Sequence, residues 1–364
     1  MNYESFETPI GKIILIGDKN GISQLLVDNN SKEIFIDANW VKSENQFVKA
    51  KAQLLEYFEG KRTRFDLKLN PKGTDFQRKV WTELDNIPYG ELRSYKDIAV
   101  ATGNPKAARA IGMANNKNPI PIIVPCHRVI GANKKLVGYA YGLELKKRLL
   151  NLELINNTFE ILQAHYGKLN WWPADSDFEM MVGAILTQNT NWKNVEKALS
   201  NFNGNLTPEF IEDVTPDELA EIIRPSGYHN QKALKLKSLT KWFKKYDFNI
   251  SKAKKQDADL LREELLNING IGGETADSIL VYALEKPFFV IDAYTRRIFH
   301  RVGIEVPDKY EDYRLLMEDA IPKNTKVYNL NHALVVEHAK AFCQKKPLCD
   351  NCPLQVICSK RIQF

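Results

Sequence analysis

The sequence predicts a multidomain protein. A small α/β unit is expected over residues 1–70, an α-rich unit with a helix-turn-helix over 71–155, and an all-α unit over 156–364 that ends in a cysteine loop at 343–358. Three observations carry this reading. At 364 residues and 44% hydrophobic content, the chain is too long for one ordinary core. Short β-type runs are confined to its start, and from about Asn156 an almost wholly helical pattern continues to the end. Between two helical stretches, Leu265-Leu266-Asn267-Ile268-Asn269-Gly270-Ile271-Gly272-Gly273-Glu274-Thr275-Ala276 sets glycines where a hairpin must turn tightly.

In chain order, Lys12–Ile16 and Gly21–Val27 flank the turn signal Asp18-Lys19-Asn20-Gly21 and read as a hairpin. Residues 45–58 look helical, and 60–73 read as a linking segment. Thr74 can cap a helix through Phe76, Val80, Trp81 and Leu84, and Ser94 one through Ile98 and Ala99. A turn at Thr102-Gly103-Asn104-Pro105 then leads into a small-residue helix from Lys106 to Asn115. Helix, short turn, helix in a basic setting suggests a helix-turn-helix, although helical hairpins are common in any α-rich core. The first unit is expected to end at Asn156-Asn157-Thr158.

The start lacks the basic-then-apolar layout of a signal peptide, and no long apolar run occurs, so a soluble, cytoplasmic protein without a membrane partner is expected. The net charge of +6 leans mildly toward a polyanionic partner. Nine lysines between Lys232 and Lys255, interleaved with Leu234, Leu236, Leu239, Trp242 and Phe243, fit either a solvated helix face or a phosphate-facing stripe.

One of the five cysteines stands apart, in Ile122-Ile123-Val124-Pro125-Cys126-His127-Arg128-Val129. A thiolate is nucleophilic, and a neighbouring base lowers the cost of forming it. Consecutive residues of a strand point to opposite sides, so Cys126 and His127 can cooperate only through a turn or a bridging water. Taken alone, Pro-Cys-His more often marks a structural cysteine in an apolar wall.

Its surroundings decide more. "GTDFQRKVWTEL", "IPYGELRSYKDIA" and "GNPKAARAIGMANNKNPIPIIVPCHRV", in order, resemble the O6-alkylguanine-DNA alkyltransferases over about residues 1–155. That resemblance implies that Cys126 takes an alkyl group from O6 of guanine once per molecule. It also implies that His127, held by Glu153, draws the thiol proton through water, that Tyr95 donates to the departing guanine, and that Asn118 braces the site. Arg109 would fill the gap left by the flipped nucleotide, Arg128 would contact DNA and Tyr139 would line the base pocket. Where many relatives read Gly-Tyr-Ala-Gly-Gly, this chain has Gly138-Tyr139-Ala140-Tyr141-Gly142, which bears on the size of alkyl group accepted.

The other cysteines, Cys343, Cys349, Cys352 and Cys358, can hold zinc or a [4Fe–4S] cluster, and their spacing tilts toward iron–sulfur. "LLNINGIGGETADSIL", "FFVIDAYTRRIFHRVG" and this cysteine loop resemble the endonuclease III superfamily of helix-hairpin-helix DNA glycosylases from about residue 157 onward. The resemblance implies a [4Fe–4S] cluster on those four thiolates and a hairpin (Gly270, Gly272, Gly273) whose free backbone N–H groups meet DNA phosphate. Bifunctional members carry a lysine after the hairpin, and this chain has Glu274, which cannot form an imine. A monofunctional glycosylase is therefore expected, with Asp292 stabilising the oxocarbenium charge.

"NWWPADSDFEMMVGAILTQNTNWKNVEKAL" and "IRPSGYHNQKALKLKSL" resemble the 3-methyladenine glycosylase branch. This implies a base pocket walled by Trp171, Trp172 and Trp192, with Gln188, Glu274 and Lys340 nearby, suited to cationic N-alkylpurines. As bare residues, tryptophans at helix ends are usually core anchors. The expected protein is a monomer that repairs alkylated double-stranded DNA in both halves. The rivals are a bifunctional glycosylase/AP lyase for oxidised pyrimidines in the second half, or a damage-binding module without chemistry.

Overall fold

The structure is a computed structural model that describes residues 1–28, 36–133, 135–169 and 171–362. Contacts divide it into two compact units. One contains Met1–Glu160 with Asp319–Ile321, and the other Ile161–Glu318 with Pro322–Phe364.

In the first unit, β1 (Asn2–Thr8), β2 (Gly11–Asp18) and β3 (Gly21–Asp28) form an antiparallel meander, and β4 (Val41–Lys42) adds to β1 in parallel, giving the order β3-β2-β1-β4. The register pairs Ser5 with Ile14 and Ile14 with Leu26. In β2, Ile13 to Ile16 are all buried, as a continuous apolar run in a covered central strand requires. The expected hairpin is β2–β3; β1, with the polar sequence NYESFET, gave no comparable run. Helix α1 (Glu44–Phe58) packs on β1. The segment read as a linker makes one bridge: Ile22 N donates to Lys68 O at 2.9 Å and Asn70 N to Ile22 O at 2.7 Å.

Helices α2 (Asp75–Asp85) and α3 (Tyr95–Ala101) open with full capping boxes, Thr74 with Gln77 and Ser94 with Asp97. Between them lies β5 (Arg93–Ser94). Helix α4 (Ala108–Asn116) starts later than the sequence suggested, because Ala107 N donates to Asn104 O and keeps Pro105 and Lys106 in the turn. A single 3-10 turn, Cys126–Arg128, follows, then β6 (Val129–Ile130), parallel to β5.

Helix α5 (Leu143–Tyr166) runs through the polar triplet expected to end a domain. Asn156 Nδ2 donates to Leu152 O and Thr158 Oγ1 to Leu154 O, so these polar groups are satisfied one turn back and the helix continues.

The described residues of the second unit form helices joined by loops, with no strand among them. At its centre α6 (Asp177–Leu186) is apolar on nearly every side and buried from Met180 to Leu186. After it come α7 (Trp192–Ser200), α8 (Pro208–Asp213), α9 (Pro216–Ile222), α10 (His229–Lys244), α11 (Ile250–Lys254) and α12 (Ala258–Leu266), of which α7 and α10 pack on it. They are followed by α13 (Gly273–Tyr282), α14 (Ala293–Val302), α15 (Tyr310–Ala320) and α16 (Thr325–Ala341). Side chains of Ser176, Asn191, Thr207, Thr215, Asn249, Asp257, Asp292 and Asn324 cap their helices, each contributing about 1 kcal/mol. Helix α13 has no side-chain cap.

Candidate functional sites

Pro125 ends the apolar run, and the chain enters the 3-10 turn instead of a strand, which brings Cys126, His127 and Arg128 inside together, all at 5% exposure or less. Upstream, Ile122 sits at φ 74, a costly conformation for a β-branched residue, held by Ile123 N to Pro121 O and Val124 N to Ile120 O. Asn118 fixes the approach to the turn: Nδ2 donates to Val124 O at 2.8 Å and Oδ1 accepts from Ile120 N at 3.0 Å. Asn115 Nδ2 adds a bond to Cys126 O at 3.3 Å.

Behind the turn, Glu153 of α5 is completely buried and gathers donors from four places. His127 Nε2 lies 2.8 Å from Oε1, Arg128 Nε and Nη2 reach Oε2 and Oε1 at 2.8 and 2.9 Å, Tyr57 OH donates to Oε1 at 2.7 Å, and Gly90 N donates to Oε2 at 3.2 Å. Burial alone would raise this carboxyl, but the charges and hydrogen bonds of His127 and Arg128 outweigh it and hold the group well below the usual range. His127 is pushed down by its own burial, only partly offset by Glu153, and is neutral near neutral pH. With Nε2 on Glu153, its buried Nδ1 meets no protein partner.

Burial raises the Cys126 thiol to about 11 against the lowering effects of Asn118 and Lys146. The Lys146 side chain is itself fully buried, donates to Val129 O, Val137 O and Gly138 O, and is depressed by desolvation to about 8. Tyr95 is half-buried with its ring against Gly112, and its hydroxyl lies 3.8 Å from where a Cβ on Gly138 would stand. Arg109 is exposed on α4. Tyr139 buries a hydroxyl that finds no protein partner. Tyr141 reaches back to Leu25 O at 3.5 Å.

In the second unit the three hairpin glycines serve different ends. Gly270 turns at φ 85. A Cβ on Gly273 would sit 2.6 Å from the Tyr310 ring, and one on Gly272 would meet nothing within 4 Å. Asp292 caps α14, its Oδ1 accepting from Thr295 N and Oγ1 at 2.7 and 2.8 Å. Its Oδ2 lies 3.4 Å from His332 Nε2, and His332 Nδ1 lies 2.5 Å from Tyr282 OH. Burial raises the Asp292 carboxyl, yet His332 and Thr295 outweigh it and the group stays low. Crowding by protein, then the Asp292 charge, push Glu274 up to about 7.

Trp172 stands edge-on to Trp171 and Trp192, with centroids at 6.1 and 5.3 Å, and tilts against Tyr282 at 5.4 Å. Its buried indole N–H meets no protein acceptor. Trp172 and Trp192 also pack on the core, so both readings of these residues describe the same side chains. Lys340 Nζ lies over the Trp171 ring at 4.9 Å.

All four tail cysteines are free thiols lining one cavity of about 30 Å³ with Arg301 and His338. Arg301 Nη1 donates to Cys343 Sγ at 3.3 Å, Lys360 N to Cys358 Sγ at 3.4 Å, and His338 Nε2 lies 3.5 Å from Cys352 Sγ. Among the described residues, no three His, Cys, Asp or Glu side chains converge on a single-ion site.

Comparison with known proteins now bears on both sites. Family models for 6-O-methylguanine DNA methyltransferase match twice, the ribonuclease-like domain over residues 1–71 and the DNA binding domain over 75–155. The family model of HhH-GPD superfamily base excision DNA repair proteins matches residues 182–323. A methylated-DNA–protein-cysteine methyltransferase of Methanosarcina acetivorans is 54% identical over 153 residues, 42% of this chain and 98% of its own. A Methanocaldococcus jannaschii protein whose name proposes a DNA repair glycosylase is 48% identical over 211 residues, 57% of this chain and 96% of its own.

The chain belongs to both families. It joins a methylated-DNA–protein-cysteine methyltransferase to an HhH-GPD glycosylase. A solved non-covalent endonuclease III–DNA complex, 20% identical with a TM-score of 0.50 over 57% of this chain and 95% of that one, shares the fold of the glycosylase half.

Two expectations for these halves need correction. Arg128 is not free for DNA: it is buried, and its guanidinium is occupied by Glu153 and by Ile87 O at 2.5 Å. Gln188 does not offer its amide to a base pocket. Nε2 donates to Gly270 O and Thr275 Oγ1, and Oε1 accepts from Lys235 Nζ, so the amide ties the end of α6 to the hairpin.

The lysine-rich stretch is also less available than its sequence suggests. Lys232 is buried on Leu186 O and Ser226 O, and Lys235, Lys237, Lys244, Lys252 and Lys254 all bond within the protein. Sequence reasoning missed Tyr57, Lys146, Asn115 and His332. A lysine two turns before Glu153 on the same helix face was a signal for Lys146; Tyr57 gave none beyond an apolar helix stripe.

Proposed function

We propose that this protein repairs alkylated double-stranded DNA as a monomer, transferring alkyl groups from O6 of guanine to Cys126 and excising N-alkylated purines in its second unit. The observation that carries the first activity is a buried thiol one residue from a neutral imidazole, which is anchored by Glu153 and has a free Nδ1. A water between Cys126 and His127 Nδ1 would pass the thiol proton to the imidazole as Sγ attacks the alkyl carbon. The C–O6 bond breaks, its electrons return to the guanine, and a hydrogen bond from Tyr95 eases that departure. Because burial holds the thiol at about 11, thiolate forms only as its proton is taken, with the Lys146 ammonium favouring the charge. The thioether has no route back, so each molecule acts once. Arg109, exposed on a small-residue helix, fits the gap left by an extruded nucleotide.

For the second activity, Glu274 in place of an amine supports hydrolysis without an imine. Asp292, ionised and held by Thr295 and His332, supports stabilisation of the oxocarbenium-like sugar. A cationic purine is a good leaving group and is attracted to indole faces such as those of Trp171, Trp172 and Trp192.

The four thiols around one cavity, with N–H donors aimed at the sulfurs of Cys343 and Cys358 and His338 Nε2 beside that of Cys352, suit a [4Fe–4S] cluster on Cys343, Cys349, Cys352 and Cys358. Such a cluster would cross-link the loop. Among the described residues no helix is long and apolar enough to cross a membrane.

The test uses an oligonucleotide labelled at O6-methylguanine and a methylated DNA in parallel. Label should move to the intact protein and not to Cys126→Ala, and 3-methyladenine should be released without a borohydride-trapped adduct. Failure of the intact protein to accept label, or trapping of a covalent DNA adduct, overturns the corresponding half.

A further inference from the structure

We infer that Tyr57 is a positioning residue for alkyl transfer: its hydroxyl shares the Glu153 oxygen that anchors His127 and so sets how strongly His127 accepts the thiol proton. This rests on the His127–Glu153 relay proposed above. Tyr57 lies on α1, 96 residues from Glu153 in sequence and in the region matched by the ribonuclease-like domain rather than the DNA-binding one. Its side chain is fully buried. Phe58, Phe65 and Tyr89 hold the ring edge-on or tilted at 5.3, 5.5 and 6.1 Å, leaving the hydroxyl a fixed direction.

The allocation of lone pairs gives the inference its content. Oε1 takes Tyr57 OH at 2.7 Å, His127 Nε2 at 2.8 Å and Arg128 Nη2 at 2.9 Å, whereas Oε2 takes only Arg128 Nε and the longer bond from Gly90 N. Three donors on one oxygen compete, and each withdraws electron density that would otherwise draw the imidazole proton. Tyr57 therefore weakens the pull of Glu153 on His127 and keeps the imidazole a modest base. Burial and then the Glu153 charge push its phenol well above the ordinary value, so it acts as a donor throughout the working range. The other charged or titratable groups facing this cluster are Tyr89, Cys126, Arg128, Tyr139 and Lys146, from the segments that pack around it.

A purely structural tyrosine would be replaced by phenylalanine with no effect on proton transfer. The experiment uses the full chain: single-turnover methyl transfer against pH, and NMR titration of the His127 ring. In Tyr57→Phe, Glu153 binds the imidazolium more tightly. The His127 midpoint and the acid limb of the rate should both rise by about one pH unit, the size expected from losing a hydrogen bond to a charged group.

Placing 3-fluorotyrosine at position 57, a stronger donor with the ring retained, should move both the other way. Superimposable profiles for all three proteins overturn the inference. Glu153→Gln separates it from the relay itself. If that variant transfers methyl at the full rate, the relay reading fails; if it is inactive while position 57 changes nothing, only the role of Tyr57 fails.

Discussion

Asp292 and Thr295 form a two-point contact in which one carboxylate oxygen accepts both the backbone N–H and the hydroxyl, at 2.7 and 2.8 Å. The other oxygen is left facing His332 at 3.4 Å. Asparagine can keep the cap and lose the charge. Asp292→Asn should therefore fold normally and release 3-methyladenine about 10²–10³-fold more slowly, the usual scale for removing one preorganised electrostatic group. Thermal unfolding alongside a glycosylase assay checks both halves of this expectation.

Glu274 gives that activity a pH signature. Crowding and the Asp292 charge place its carboxyl near 7, so it gains negative charge close to Asp292 as pH rises through neutrality. Base release by the wild type should climb across that range, and Glu274→Gln should flatten the profile.

Cys126 should be inert toward simple alkylating reagents in the absence of DNA. Burial holds its thiol at about 11, so the protonated, unreactive form dominates below that value. Mass spectrometry after iodoacetamide treatment of the native protein should show little modification of Cys126 at pH 8 and rapid modification once denaturant exposes it.

The hairpin glycines should separate by cause. Gly272→Ala should change stability by less than about 0.5 kcal/mol, because the site is open. Gly273→Ala drives a methyl into the Tyr310 ring, which is held by Asp277, and should cost about 1–3 kcal/mol. Gly270→Ala forces φ 85 on an L residue and should cost about 1–2 kcal/mol. Denaturant midpoints would rank them.

Buried Lys232 predicts how the glycosylase unit responds to alkali. Desolvation lowers its folded pKa to about 8 from 10.5, so between those values the unfolded chain binds more protons than the folded one. The stability due to this group is complete above 10.5 and is lost as pH falls through 8. Against Lys232→Met, the wild type should gain in denaturant midpoint between pH 8 and 10.

The architecture was legible wherever one local signal governed the outcome. The turn at Asp18–Gly21, the caps Thr74 and Ser94, and the glycine hairpin all act through neighbours in sequence, and each lies where it was expected. The positions of Cys126, Asn118 and Glu153 were readable through family resemblance. What was not legible depends on distant partners. Arg128 reads as a surface charge until Glu153 lies 2.8 Å away, and Gln188 as a pocket residue until the hairpin takes its amide. The boundary read at Asn156–Thr158 falls close to Glu160, where the first unit's main segment ends, yet α5 passes through it because both side chains bond one turn back.

The cap made by Asp292 carries a lesson for anyone surveying related genomes. An acid at this position answers to two separate selective demands, one from the helix it begins and one from the sugar it would face. A lineage that abandoned excision would still find the residue hard to discard. Its persistence is thus poor testimony that a given descendant remains active, and loss of Glu274 or of the indoles Trp171, Trp172 and Trp192 would be the earlier mark of decay.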